Sequence, residues 1–220
     1  MRNARSLTGV AVLLVILFAG AANGTNIFLI DPTTRNGSFE LLDGSSGSTA
    51  TVTHWDTHSA GDIDDWTVWT EEAGTEDDSG AYASPNATDG SRAAFLKTDN
   101  AAYNMTTHTI AVGDIFAYSF DNVLSGRGSA TMWLVYDDGG AISKITGSDI
   151  TGAPVDTYSN TFTVQAGAWA GKTIGAGLHA IGSYPEIDNV TLSVTPIPEP
   201  ATLALLALGS LALVRRKRRA

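Results

Sequence analysis

Residues 114–138 read DIFAYSFDNVLSGRGSATMWLVYDD. In the first part Phe116, Tyr118 and Phe120 alternate with smaller residues. Extended backbone sends successive side chains to opposite faces, so one face of this segment carries rings. Ser129–Asp138 follows as a strongly apolar run of strand length. Within it Met132, Leu134 and Tyr136 share one face, while Trp133 and Val135 share the other. One of those faces must be core. If the second faces an open, concave sheet, Trp133 becomes a platform. Asp137-Asp138-Gly139-Gly140 then signals a hairpin turn.

Further extended segments lie to either side. Arg92–Lys97 centres on Phe95 and Leu96, and Thr157–Gln165 offers Tyr158, Phe162 and Val164 as inward residues. Ile174–Ile181 and Ile187–Val194 supply two more. Gly, Asp, Asn and Ser punctuate these runs about every ten residues, the rhythm of a sandwich or barrel. No stretch between residues 25 and 195 sustains a helical period. The fold class is all-β. Gly44–Thr53 and Glu71–Asp89 read as long polar loops.

Both ends differ from this middle. At the C-terminus Pro198-Glu199-Pro200 precedes an apolar run, Ala201–Val214, and then Arg215-Arg216-Lys217-Arg218-Arg219. Fourteen helical residues rise roughly 21 Å, short of a hydrocarbon core of about 30 Å, so the run is only a marginal transmembrane helix. The basic cluster holds its end in the cytoplasm. The prolines stop the helix from extending upstream. This three-part tail, residues 196–220, resembles the PEP-CTERM sorting signal of Gram-negative bacteria. The resemblance implies cleavage by an exosortase, release to the cell surface or extracellular matrix, and an association with exopolysaccharide. The other reading of the tail is an ordinary anchor helix, which would keep the chain in the membrane.

At the N-terminus Arg2 and Arg5 precede the apolar run Leu7–Ala19 and the small residues Gly20, Ala21, Ala22 and Gly24. That is the order of a secretory signal peptide, residues 1–24, for the Sec machinery. Between the ends, residues 25–195 form one expected domain. It keeps six Lys and Arg against 22 Asp and Glu, a net charge of −16. Such a surface repels nucleic acid and suits cations. With no cysteine, the fold has no disulfide staple.

Three pieces of the domain carry a second resemblance: Asn36-Gly37-Ser38-Phe39-Glu40, then Trp66 in DDWTVW, then Ile187-Asp188-Asn189-Val190-Thr191-Leu192. Their order and spacing resemble the galactose-binding-like jelly-roll β-sandwiches, including several carbohydrate-binding module families. The resemblance implies a structural Ca²⁺ where the first and last strands meet, held by Glu40 and Asp188 with Asp89 as a third ligand. Hard cations of this kind take six to eight oxygens. It also implies carbohydrate binding through aromatic faces. Trp55, Trp69, Tyr82 and Trp133 are the candidates, Trp55, Trp69 and Tyr82 from loops, while Trp66 reads as core.

No catalytic motif stands out. The Gly-x-Ser-x-Gly elbow, the phosphate-binding Gly-rich loop, His-Glu-x-x-His and a cysteine nucleophile are all missing from the sequence. His54 and His58 have a spacing suited to a shared metal on a helix, but TVTHWDTHSAG reads as strand or loop. The functional expectation is an exported structural or adhesive protein with polysaccharide recognition, and the alternative is a secreted polysaccharide hydrolase.

Overall fold

The computed structural model describes residues 25–42, 45–46, 52–54, 65–68, 79–153, 155–182 and 184–197. The signal segment, the sorting tripeptide Pro198-Glu199-Pro200, the helix 201–214 and the basic cluster 215–219 lie outside the described residues, as do Trp55, His58 and Trp69. Residues 27–194 make one compact unit, and residues 1–26 with 195–220 make a second.

The described chain contains fifteen strands and no helix. In order they are β1 (Ile27–Ile30), β2 (Leu41–Leu42), β3 (Ser45–Ser46), β4 (Val52–His54), β5 (Thr67–Val68) and β6 (Gly80–Ala83). Then come β7 (Arg92–Phe95), β8 (Ala101–Thr109), β9 (Ile115–Asn122), β10 (Ser129–Asp137) and β11 (Ile142–Lys144). The last four are β12 (Ile150–Gly152), β13 (Asp156–Thr163), β14 (Thr173–Ile181) and β15 (Glu186–Thr195). The first sheet runs β13-β9-β15-β7-β6-β4, with β1 added against β15. The second runs β11-β10-β14-β8-β5, with β12 against β10. β2 and β3 form a small separate ladder.

The core lies between the two sheets and follows the sequence alternation. Phe116, Tyr118 and Phe120 from β9 meet Met132, Leu134 and Tyr136 from β10. Ile174, Ala176, Leu178 and Ala180 from β14 and Val190, Leu192 and Val194 from β15 complete the layer. Tyr158 and Phe162 are only partly buried and pack on its margin, while Val164 is buried just after β13 ends. Burial raises the Tyr118 phenol to about 12; its hydroxyl donates to the Ser148 carbonyl at 2.5 Å.

Two segments differ from the sequence reading. Glu71–Asp89 is not wholly loop, since Gly80–Ala83 pairs with β4 and β7. Tyr82 is therefore on a strand rather than in a loop. The nine-residue β8 has no apolar alternation to reveal it. Its inward positions are Ala102, Asn104 and Thr106, all buried. Backbone carbonyls hold both side chains: Asn104 Nδ2 donates to the Arg35 carbonyl at 2.7 Å and Thr106 Oγ1 to the Ile174 carbonyl at 2.8 Å, while Asn104 Oδ1 is buried without a partner. Those bonds offset much of the cost of burying the two polar side chains in a core strand.

The N-terminal motif serves the core. Phe39 and Trp66 are both buried, with ring centroids 5.0 Å apart. Trp66 Nε1 donates to the Asn36 carbonyl at 3.0 Å. Gly37 is held against β15: Val190 N donates to its carbonyl, and a Cβ on Gly37 would lie 2.3 Å from the Val190 oxygen. Only glycine allows that approach.

Candidate functional site

The second sheet carries an aromatic trough on the face turned away from the core. β14 presents Ile174, Ala176, Leu178 and Ala180 inward, leaving Gly175, Gly177 and His179 on the other face. Gly177 stands opposite Trp133 of β10 and opposite Tyr103 of β8. Paired residues on neighbouring strands project to the same side. The glycine is thus a floor with a ring on either hand. Gly175, opposite Val135 and Met105, extends the floor. Val135 and Ala101 are buried beneath a second apolar cluster that includes Tyr103, Met105, Trp133 and Ile142. The His179 ring lies 5.3 Å from the Trp133 ring at 32°, and Lys144 Nζ stands 3.8 Å over the Trp133 ring centre. A ring in contact with a cation and an imidazole is pre-oriented, so little side-chain freedom remains to be lost on binding.

The first sheet carries an acid-clasped loop. Residues 84–91 join β6 to β7 and lie over Glu186, Asp188 and Asp121, all buried. Ser84 Oγ donates to Glu186 Oε2 at 3.0 Å. Asp188 Oδ2 accepts from Thr88 N at 2.6 Å, Asp89 N at 2.9 Å and Thr88 Oγ1 at 3.2 Å, and its Oδ1 accepts from Asn189 N at 2.7 Å. Burial raises the Asp188 pKa above the ordinary carboxylate value, against the pull of those donors. At the far end Glu40 Oε1 accepts from Ser91 N and Arg92 N, each at 2.6 Å, and Oε2 accepts from Ser91 Oγ at 3.1 Å. A Cβ on Gly90 would strike the Glu40 carboxylate at 2.5 Å, and its φ of +68° also calls for glycine.

Glu40 and Asp188 engage opposite ends of this one loop as acceptors of N–H groups, and Asp89 takes part through its backbone N–H, which donates to Asp188. Donor N–H groups point their positive ends into the space a cation would need. Among the described residues no group of three or more His, Asp or Glu side chains is placed to hold a metal. This donor set does not fit a Ca²⁺ ion between Glu40 and Asp188.

Of the four ring candidates Trp133 and Tyr82 are described, and they lie on different sheets. Trp133 lies in the trough. Tyr82 belongs to the first sheet, in an open cavity of about 340 Å³ shared with Phe95, Tyr184, Arg127 and Glu186. Its ring meets Phe95 edge-on at 5.7 Å, and burial followed by hydrogen bonding to Glu186 raises its pKa. Sequence reasoning missed Tyr103, because β8 was not recognised, and the role of His179. The signal was present in Gly175-Ala176-Gly177-Leu178-His179: glycines at a spacing of two on the face opposite Ala176 and Leu178 mark a strand that leaves room above itself.

Comparison with known proteins bears first on the tail. Residues 196–219 match the PEP-CTERM protein-sorting motif. The motif directs the chain out to the cell envelope or surface. No curated protein matches the chain. Among solved structures, a cyclase from Fischerella sp. TAU is similar over 80% of this chain and 100% of its own, at 15% identity and a TM-score of 0.52. That likeness is one of fold: the all-β sandwich recurs there. The CBM22-1 xylan-binding domain of Paenibacillus barcinonensis Xyn10C aligns over 81% of this chain and 99% of its own, at 12% identity and a TM-score of 0.47.

Proposed function

We propose that this chain is an exported envelope or matrix protein whose aromatic trough holds a polysaccharide strand without cleaving it. Sec would carry the chain across the membrane, and an exosortase would process the tail. The observation that carries the reading is the register of Trp133 and Tyr103 on either side of Gly177. Pyranose rings present apolar C–H faces, which stack on aromatic faces, while polar neighbours orient the hydroxyls. His179 lies 5.3 Å from the Trp133 ring and Lys144 Nζ stands over its face, so a stacked sugar would displace the Lys144 ammonium toward its own hydroxyls. A glycoside hydrolase needs two carboxyl groups about 5 to 9.5 Å apart across the bound sugar. β8, β11 and β14 contribute no carboxylate, and β10 offers only Asp137 at its end. Binding is the chemistry these strands support.

The test is retention of the purified full-length chain in affinity gels cast with a panel of soluble polysaccharides, followed by calorimetry on those that retard it. Trp133→Ala should weaken binding about tenfold, equivalent to roughly 1.4 kcal/mol. Binding that survives this change undiminished would sink the trough, and sugar release from any bound chain would favour the hydrolase.

A further inference from the structure

β13 ends the first sheet: β9 lies on one side of it, and among the described residues no strand lies on the other. It runs in unbroken register with β9 from Asp156 to Thr163, and most of its residues are exposed. A long, regular, exposed edge is a template for pairing with another chain. The usual protections are missing from its sequence, DTYSNTFT. It has no Lys, no Pro and no bulge, and its one charge, Asp156, stands at the start.

The ladder fixes where the backbone groups point. Val164, just past the strand, donates its N–H to the Asp114 carbonyl at 2.8 Å and accepts from Gly113 N at 2.9 Å, so its backbone faces the β9 side. Antiparallel ladders alternate residue by residue. Asp156, Tyr158, Asn160 and Phe162 therefore bond β9, while Thr157, Ser159, Thr161 and Thr163 turn their N–H and C=O groups outward.

Two of the outward N–H groups are already taken, each by the side chain of the preceding residue. Thr157 N donates to Asp156 Oδ1 at 2.8 Å, and Thr161 N donates to Asn160 Oδ1 at 2.8 Å. The Asn160 amide is held for this: its Nδ2 donates to the Tyr118 hydroxyl at 3.2 Å, which leaves Oδ1 as the acceptor. Beyond them Gln165 Nε2 donates to the outward Thr163 carbonyl at 3.4 Å. Apart from these caps the strand suits a second copy of itself. Antiparallel pairing about a two-fold axis at Ser159 sets Thr157 against Thr161 of the second copy and Asp156 against its Phe162, so no like charges are opposed. That pairing would need the very N–H groups that the caps occupy.

We propose that Asp156 and Asn160 are edge guards: their side-chain oxygens cap the outward N–H groups of Thr157 and Thr161 and so keep β13 from pairing with β13 of a second copy. An exported chain crowded at a surface then stays a single sandwich instead of joining edge to edge.

The experiment is sedimentation equilibrium of the full-length chain in density-matched mild detergent, the parent beside the double variant Asp156→Ala, Asn160→Ala. It is run at about 0.5 M NaCl, where repulsion between the acidic domains is screened. Circular dichroism checks that each variant keeps its strands. The double variant should form a closed dimer at least about tenfold more tightly than any self-association of the parent. Adding Thr161→Pro removes the N–H itself at an outward edge position, where proline is tolerated, and should return the double variant to the parent's state. Should the double variant fail to fold, Asp156→Ala alone, which leaves the Asn160–Tyr118 bond intact, should shift association in the same direction. Equal association of the parent and the uncapped variants would overturn the proposal. So would a dimer that survives Thr161→Pro.

Discussion

Asp188 is where single-residue chemistry is most exposed to test. It is wholly buried, and burial lifts its pKa above 3.8. The folded state then holds this proton more tightly than the unfolded chain does. Stability from this group is full below about pH 3.8 and declines as pH rises through the raised value. Replacing it with Asn should remove that slope, so the Tm of the parent chain should fall relative to Asp188→Asn as the pH rises from about 4. Parallel curves would show that the group titrates normally. Asp31 works the other way: burial opposes ionisation, but donors from Thr33 and Thr34 outweigh it and lower the pKa. Its contribution is present above 3.8 and fades as pH falls below it. Trp66 is a simpler case. Its ring packs on Phe39 and its nitrogen is satisfied by Asn36, so Trp66→Ala should cost about 3–5 kcal/mol in denaturant unfolding.

At the scale of strands, β14 organises the trough through what it leaves out. Gly175 sits where a Cβ would lie 2.5 Å from the Asn104 carbonyl oxygen and the Met105 sulfur. Gly175→Ala should therefore push β8 and β14 apart and cost about 1–3 kcal/mol, read from denaturant midpoints. Gly177→Leu should instead fill the floor between Trp133 and Tyr103, lowering polysaccharide retention as much as Trp133→Ala does. Retention unchanged in the leucine variant would place the ligand elsewhere. The strands read from apolar alternation, β9, β10 and β14, are the ones whose inward residues are hydrophobic, and they were legible for that reason. β8 was not, because its inward Asn104 and Thr106 are rendered core residues by carbonyls from Arg35 and Ile174, distant in sequence. The trough was half legible for the same reason: Trp133 was visible on a strand with an obvious core face, whereas Tyr103 belonged to the hidden strand. The resemblance pointed to Glu40, Asp188 and Asp89 as one group, but whether carboxylates meet carbonyls or N–H groups depends on loop backbone that residue spacing does not encode.

For the whole molecule, charge is the dominant fact. The chain between the signal and the tail carries a net −16, and several of its acids are buried beneath one loop. Like charges oppose compaction and are screened by salt. Raising NaCl from about 0.02 to 0.5 M should therefore raise the melting temperature of the chain, in contrast to a fold held by surface ion pairs. A fall in Tm over that range would mean that attractive pairs, such as Lys172–Asp138 at 3.2 Å, outweigh the repulsion.

The last strand has a mechanical meaning. β15 is flanked by β9 and β7, and at its end Val194 faces Ile27, the first residue of β1. Both directions of chain thus leave the sandwich at the same pole, three residues before Pro198 on one side. A tensile load applied to the tail alone runs along an interior strand and must shear its ladders together. The same load applied between the two termini peels β1 from β15 first and leaves the two sheets unloaded. A protein held only by its tail is gripped in its strong direction.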